Sequence, residues 1–303
     1  MLTFFTTAKA FRGHSAIIQC NALKSWKLLH PGIEVILFGD DEGAAEVCAE
    51  LGLRHESHVE RHESGMKYLN YMFERAQKIA RHDYLCFSNC DIVLMDDFRG
   101  AFEKVRAWRK RFLMVAQRWD TEVTKPIDFT NREWAKELRQ FAEAKGQLQL
   151  PHCIDFFVFP RGLYDDVPPL VIGRSWWDWW LVWKASSRKA AVVDCSPFVI
   201  PVHQNHGHGY HPLGKQGTNE DELAKRNVVL AGKGKHLRYI LDASHKLEAS
   251  GKIHRVFFRR QYFEWKIGYK IQTIVNVTHP IRRLLGLTRP HGDRPLHGNG
   301  SSS

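Results

Sequence analysis

Short apolar runs alternate with longer amphipathic stretches over the first 120 residues. Leu2-Thr-Phe-Phe-Thr-Thr7 is β-rich and predicts a central first strand. After Gly13 a helical stretch runs from His14 to His30, with Ile17, Ile18, Leu23, Trp26 and Leu29 for its buried face, until Pro31-Gly32 stops it. Ile33 to Phe38 reads as a second strand ending in Gly39-Asp40-Asp41. A short Ala/Glu-rich helix follows, and His55 to Val59 gives a third, weaker strand. Tyr68 to Ala80 sets Tyr68, Leu69, Met72, Phe73, Ala76 and Ile79 on one helical face. A strand over Tyr84 to Leu94, a basic helix around Ala101 to Arg111 and a strand from Phe112 to Ala116 complete this half. Apolar strands separated by helices predict a mostly parallel α/β sheet covered on both faces, a Rossmann-like layer.

Beyond residue 120 the pattern changes. Ile154 to Phe159 reads as a strand broken by Pro160-Arg161-Gly162, and Trp176 to Trp183 as a helix. Ala190 to Val202 reads as a buried strand pair, followed by a His/Gly loop from His203 to Gly217 and a helix around Glu220 to Leu230. From Lys235 the chain is basic and helix-like. The expected organisation is a main α/β domain over 1–235, with halves at 1–120 and 121–235, then a basic helical extension over 236–288. A Pro/Gly/Ser-rich disordered tail over 289–303 ends the chain.

Composition narrows the class only a little. With 44% hydrophobic and 25% charged residues the chain is an ordinary globular one, and its net charge of +11 favours anionic partners. The basic residues are spread along the chain without a nucleic-acid-binding motif, so no nucleic acid is expected. Six scattered cysteines without metal spacing, no signal-like N-terminus and no ~20-residue apolar run predict a reduced, cytoplasmic setting. No GxGxxG follows the first strand, which argues against a dinucleotide dehydrogenase.

Three segments carry candidate chemistry. In Phe87-Ser-Asn-Cys-Asp-Ile-Val93 the oxygens of Asn89 and Asp91 stand at the exit of the fourth strand, where an open sheet presents ligands. Asn and Asp are also ordinary turn formers, but hard divalent cations sharing their ligands with phosphates use this kind of oxygen. In the Trp176–Trp183 segment a single carboxylate, Asp178, sits among tryptophans. A buried helix with a satisfied acid is one reading; a sugar platform of Trp176, Trp177 and Trp179 beside a base of raised pKa is the other. The loop His203-Gln-Asn-His-Gly-His-Gly-Tyr-His211 offers imidazoles to a metal.

Taken together, Thr6-Thr7 after the first strand, Phe38-Gly39-Asp40 after the second and the Asn89-x-Asp91 segment at the fourth resemble the GT-A-fold nucleotide-diphospho-sugar glycosyltransferases. They are also similar to a glycosyltransferase-2-like group sharing a Ser-Asn-x-Asp-Ile segment, a Trp-Asp-x-Trp helix and a His-Gln-Asn-His loop. The resemblance covers about residues 1–235 and implies a transferase using Mn²⁺ or Mg²⁺. It implies Asp91 as metal ligand, completed by His203 or His206, and Asp178 as base with Asp155 in reserve. Thr6, Thr7, Asp40 and Asn89 would contact the donor, most simply a UDP-sugar, while Lys9, Arg12 and Lys67 near the strand ends rank lower, as diphosphate contacts that are more often solvated charges. The acceptor would be a glycan or lipid-linked hydroxyl. The mixed basic and aromatic run from Arg255 to Arg283 reads equally as a helical cap or as a helix docking on an anionic membrane surface at its inner face. An α/β nucleotidyltransferase and a basic nucleic-acid-binding protein are the alternatives; the first lacks its Gly-rich loop here.

Overall fold

The structure is a computed structural model that describes residues 1–206 and 220–256. Among these, two sheets carry the site. The larger has nine strands: β1 (Leu2–Thr7), β2 (Glu34–Phe38), β3 (Arg54–Glu56), β4 (Tyr84–Ser88), β6 (Phe112–Val115), β9 (Phe156–Pro160), β10 (Ala191–Asp194), β12 (His245–Leu247) and β13 (Ile253–Arg255). Their order is β13-β12-β10-β6-β9-β4-β1-β2-β3. Seven of them run in one direction, while β9, antiparallel to β4 and β6, and β13, antiparallel to β12, run opposite. The mixed, mostly parallel α/β architecture expected from the sequence is present.

Side-chain alternation explains why these runs are apolar throughout. Phe4, Leu37, Cys86, Met114 and Val158 face one core, while Phe5, Ile36, Phe87, Leu113 and Phe157 face the other. The first face is covered by α1 (Gly13–Leu28), α2 (Ala44–Leu51) and α4 (Asp96–Trp108). The second is covered by α3 (Leu69–Ile79) and α6 (Trp177–Ser187). At roughly 25 cal/mol per Å² of apolar surface, burial of Trp26 on α1, Phe73 on α3 and Phe87 on β4 stabilises the packing of helices on the sheet.

The Tyr84–Leu94 run departs from the single strand expected. It breaks after Ser88, turns through Asn89-Cys90-Asp91, and resumes as β5 (Ile92–Val93) in a second sheet. That sheet has the order β5-β11-β7-β8, with β7 (Trp119–Thr121), β8 (Gln147–Leu148) and β11 (Val202–Gln204). Helix α1 fixes the break. Trp26 Nε1 donates to the Ile92 carbonyl at 2.9 Å, and Ser25 Oγ accepts from Leu94 N at 3.2 Å.

Two further expectations are corrected. Ala190 to Val202 yields two strands, but β10 lies in the large sheet and β11 in the small one, so they do not pair. Residues after Lys235 do not begin a helical extension: β12 and β13 extend the large sheet, and the compact unit runs from Met1 to Phe257. Their alternating apolar residues, Leu247 and Ile253, join the first core. Helix α5 (Trp134–Lys145) fills a stretch with no expectation attached, and α7 (Glu222–Leu230) lies where a helix was expected, capped by Asp221. The basic run beyond 256, the tail, and His208 and His211 lie outside the described residues.

Candidate active site

The topology decides which chain segments meet. Strands β1, β2, β4 and β6 end on the same edge, and β9, running opposite, begins there. Lys9, Asp41, Asn89-Cys90-Asp91, Arg118 and Asp155 therefore converge on one cleft of about 1000 Å³. The second sheet closes its side. In the parallel pairing of β11 with β7, His203 stands opposite Asp120; in the antiparallel pairing of β11 with β5, it stands opposite Ile92, next to Asp91. Backbone pairing thus places His203 between two carboxylates. Gln204, fully buried, locks the register by donating to the Ile18 carbonyl at 2.8 Å and accepting from Asn21 Nδ2 at 2.8 Å.

A continuous chain of polar contacts results. His206 Nε2 lies 3.0 Å from Asp91 Oδ2, and His203 Nε2 lies 3.8 Å from the same oxygen. His203 Nδ1 is 3.1 Å from Asp120 Oδ1, which Arg118 Nε approaches at 2.8 Å. Arg118 Nη1 continues to Asp155 Oδ2 at 2.9 Å, and Asn89 Nδ2 donates to Asp155 Oδ1 at 2.6 Å.

The electrostatics follow this chain. Burial opposes ionisation of Asp91, but His203, His206 and Arg118 outweigh it and hold its carboxyl well below the usual range. Burial likewise disfavours charge on His203, yet Asp91 and Asp120 raise its pKa overall. Burial lowers the Lys9 pKa, partly offset by Asp91.

The ligand atoms of Asp91, His203 and His206 all lie within 4.8 Å of one another. Asp91 Oδ1 is buried without a hydrogen-bond partner, a costly state for a carboxylate oxygen unless a cation takes its lone pair. Two imidazoles and a carboxylate suit Mn²⁺ and fit the place. Of the cleft's lysines, arginines and carboxylates, five are cationic (Lys9, Arg61, Lys67, Arg118, Arg174) and five anionic (Asp41, Asp91, Asp120, Glu122, Asp155). The lining is therefore close to neutral before any cation binds.

The structure brings Thr7, Lys9, Lys67, Asn89, Asp91, Asp155, His203 and His206 to the cleft wall. Lys67 is already engaged by Thr7 Oγ1 at 2.6 Å, the Ala8 carbonyl at 2.8 Å and Asp41. Thr6 does not line the cleft; buried, it donates to the Ser88 carbonyl at 2.6 Å and joins β1 to β4. Asp40 is exposed and paired with Arg61 at 2.6 Å, while its neighbour Asp41 faces the cleft. Arg12 is exposed and paired with Glu42.

No side chain of the tryptophan helix lines the cleft. Trp177 is packed in the core with its edge to Phe87, and Trp176 and Trp179 make a T-shaped pair with ring centroids 5.1 Å apart. Trp179 Nε1 donates to the carbonyl of His152, a cleft residue, so this helix supports the wall from behind. Asp178, on its first turn, has its pKa raised to about 7, chiefly by burial and further by the nearby charge of Asp155. Trp176 before it has φ of 90°, a strained conformation for a bulky residue.

No protein-family model and no curated protein matches the chain. Among solved structures it is similar to glucosyl-3-phosphoglycerate synthase of Mycobacterium tuberculosis in complex with Mn²⁺ and UDP-glucose. That likeness has 13% identity and a TM-score of 0.48 over 84% of this chain and 86% of that one. The same enzyme with Mg²⁺ and UDP gives 14% identity, a TM-score of 0.47, and coverage of 84% and 87%. A further mycobacterial protein gives 15% identity and a TM-score of 0.46, covering 76% and 73%. At these levels the likeness fixes neither residues nor chemistry in this chain.

Within the chain of polar contacts from His206 to Asn89, Arg118 and Asp120 are the two residues that the sequence pattern did not single out. Their signal is an Arg-x-Asp step just beyond the apolar strand Phe112–Val115, near the kind of strand exit that drew attention to Asn89 and Asp91.

Proposed function

We infer that this protein is a metal-dependent glycosyltransferase that takes its sugar from a nucleotide-diphosphate donor. The observation that carries this reading is the Asp91–His203–His206 cluster with its unsatisfied buried oxygen, at the carboxyl edge of a parallel sheet beside Lys9. A divalent cation held there would neutralise the diphosphate as it departs. The near-neutral lining supports the need for that cation, because a diphosphate placed among equal numbers of positive and negative side chains gains little by itself.

The chain's own groups take distinct roles in this reading. Lys9 contacts the diphosphate, and Thr7 and Asp41 stand at the nucleoside end of the cleft. Asn89 and Asp155, clamped together and to Arg118, orient the sugar hydroxyls. Asp178 has the proton affinity for a base acting near neutral pH but stands behind the cleft wall, so its base role needs the acceptor hydroxyl to reach it there; Asp155 has the cleft position but is held by Arg118 and Asn89, so it positions rather than abstracts. The donor is a UDP-sugar and the acceptor a glycan or lipid-linked hydroxyl. The basic and aromatic sequence from Arg255 to Arg283 supports an acceptor close to an anionic membrane.

Asp91→Ala and Asp178→Asn separate these roles. The first removes Mn²⁺-dependent donor binding and transfer together; the second keeps donor binding and loses transfer at least tenfold. Unchanged transfer in Asp91→Ala would overturn the reading, and unchanged transfer in Asp178→Asn would remove Asp178 from the base role.

A further inference from the structure

Lys9 sits on the loop between β1 and α1, and that loop is held at three points. The Ala8 carbonyl accepts from Lys67 Nζ at 2.8 Å, and Phe11 N donates to the Glu42 carbonyl at 2.8 Å. Between these anchors Lys9 is gripped by one side chain from α1. Gln19 Oε1 accepts from Lys9 N at 2.7 Å, and Gln19 Nε2 donates to the Lys9 carbonyl at 3.0 Å. The carboxamide thus stands where a neighbouring strand would, pairing with the N–H and the C=O of a single residue. Its orientation is set by chemistry, since the flipped amide would turn donor against donor and acceptor against acceptor. Gln19 is only 4% exposed, so a carboxamide at this place needs both partners. Together with His14, Ser15 and Ile18 it lines the cleft from one face of α1.

A lysine ammonium is a point charge on a flexible four-carbon stem, so its reach depends on where the backbone is held. Asp91 is near enough to act on the Lys9 charge, which places that charge beside the metal cluster. We propose that Gln19 is a positioning residue for the nucleotide-diphosphate donor: by fixing the Lys9 peptide, it keeps the Lys9 ammonium where the diphosphate lands. This rests on the reading of Lys9 as the diphosphate contact. Gln19 acts through Lys9 and needs no contact of its own with the donor. Without it the loop stays tethered at Ala8 and Phe11 but is loose between them. The ammonium then spreads over positions of which few meet a phosphate, and ordering it again weakens donor binding. Two consequences separate this role from a packing role. Loss of the Gln19 amide cannot weaken binding more than loss of the Lys9 ammonium does, and it has no effect once that ammonium is gone.

The experiment is a double-mutant cycle read by isothermal titration calorimetry on the full-length protein in the presence of Mn²⁺. The probe is whichever of UDP, GDP and dTDP the wild type binds most tightly. Gln19→Met keeps the volume of the side chain and removes its two hydrogen bonds; Lys9→Met removes the ammonium and keeps the backbone. Lys9→Met is expected to weaken binding about tenfold or more, and Gln19→Met about fivefold. In the Lys9→Met background, Gln19→Met changes the affinity by less than about twofold. Thermal unfolding followed by circular dichroism shows which variants are folded. Wild-type affinity in a folded Gln19→Met, with Lys9→Met weakened, overturns the proposal while leaving the diphosphate contact in place. A similar loss from Gln19→Met in both backgrounds overturns it too, because the amide then supports the cleft without acting through Lys9. If Gln19→Met does not fold, Gln19→Ala is read by the same cycle; if neither folds, Gln19 is a strut of the fold and the proposal fails. No binding by the wild type, or no loss in Lys9→Met, removes the diphosphate reading of Lys9 and this proposal with it.

Discussion

The side-chain amide of Asn89 donates a 2.6 Å hydrogen bond to Asp155 Oδ1, while Arg118 occupies the other oxygen of that carboxylate at 2.9 Å. A neutral amide at position 89 thus suits its place beside this carboxylate. With Asp155 already in contact, a second acid at 89 would set two negative charges within hydrogen-bond distance, with one arginine between them. Asn89→Asp is therefore expected to destabilise the protein by about 2 kcal/mol at neutral pH. The loss shrinks towards about pH 4, where carboxyl groups begin to take up protons. Adding Asp155→Asn should regain most of it. Urea unfolding of the two variants at pH 4 and pH 7 checks both expectations.

Asp178 predicts a pH dependence of the wild-type protein itself. Its folded pKa is raised to about 7, whereas an unfolded aspartate titrates near 4. The folded protein then holds a proton that the unfolded chain releases, so this group's contribution is full below about pH 4 and is lost as pH rises through 7. Asp178→Asn removes the titration. Relative to wild type, the variant should gain stability between pH 4 and 7, at no more than about 1.4 kcal/mol per pH unit, and stay level above that. Unfolding free energies at pH 5, 6, 7 and 8 give the slope.

Lys67 ties the exits of the first two strands together. Its ammonium reaches Thr7 Oγ1, the Ala8 carbonyl and Asp41, and the side chain is only 8% exposed. Gly39 makes room for it: its φ is 109°, and a Cβ there would fall 2.7 Å from Asp41 Oδ2. Lys67→Met leaves Asp41 with only the 3.9 Å approach of Arg61 and the carbonyl without its donor, at an expected cost of about 3 kcal/mol. Thermal unfolding measures it. A companion Thr7→Val variant, losing one of the three bonds, should cost about 1 kcal/mol.

The donor set also predicts metal preference. Two imidazoles with one carboxylate suit Mn²⁺ better than Mg²⁺, which favours oxygen ligands. Competition of Mg²⁺ against bound Mn²⁺ should show the manganese ion held at least about tenfold more tightly. His206→Ala, which removes one imidazole, should narrow that margin.

The sequence made the large sheet legible because its strands are buried on both faces. Continuous apolar runs such as Ile33 to Phe38 and Phe112 to Ala116 leave little alternative. Asp91, His203 and His206 were legible for a related reason, as polar residues interrupting or following such runs. The second sheet was not. Strands of two or three residues, such as β5, β7 and β8, carry too few positions to display a period, and the β4–β5 break is imposed by Trp26 and Ser25 from another element. Arg118 and Asp120 were hidden with it. The Trp176–Trp183 run was legible as a helix but not in its role: its tryptophans pack as core and wall support, because a helix apolar on all sides is buried by the sheet before any ring can reach the cleft. The hairpin of β12 and β13 was masked by the basic residues around it, which said helix where only Leu247 and Ile253 reach the core.

The most direct test of the account is thermal unfolding of the protein against a panel of UDP-, GDP-, CMP- and dTDP-sugars, each with and without Mn²⁺. The account predicts a rise in Tm with at least one donor, UDP-sugars first, that requires Mn²⁺ and disappears in Asp91→Ala. No metal-dependent rise with any donor, or the same rise in Asp91→Ala, would contradict it.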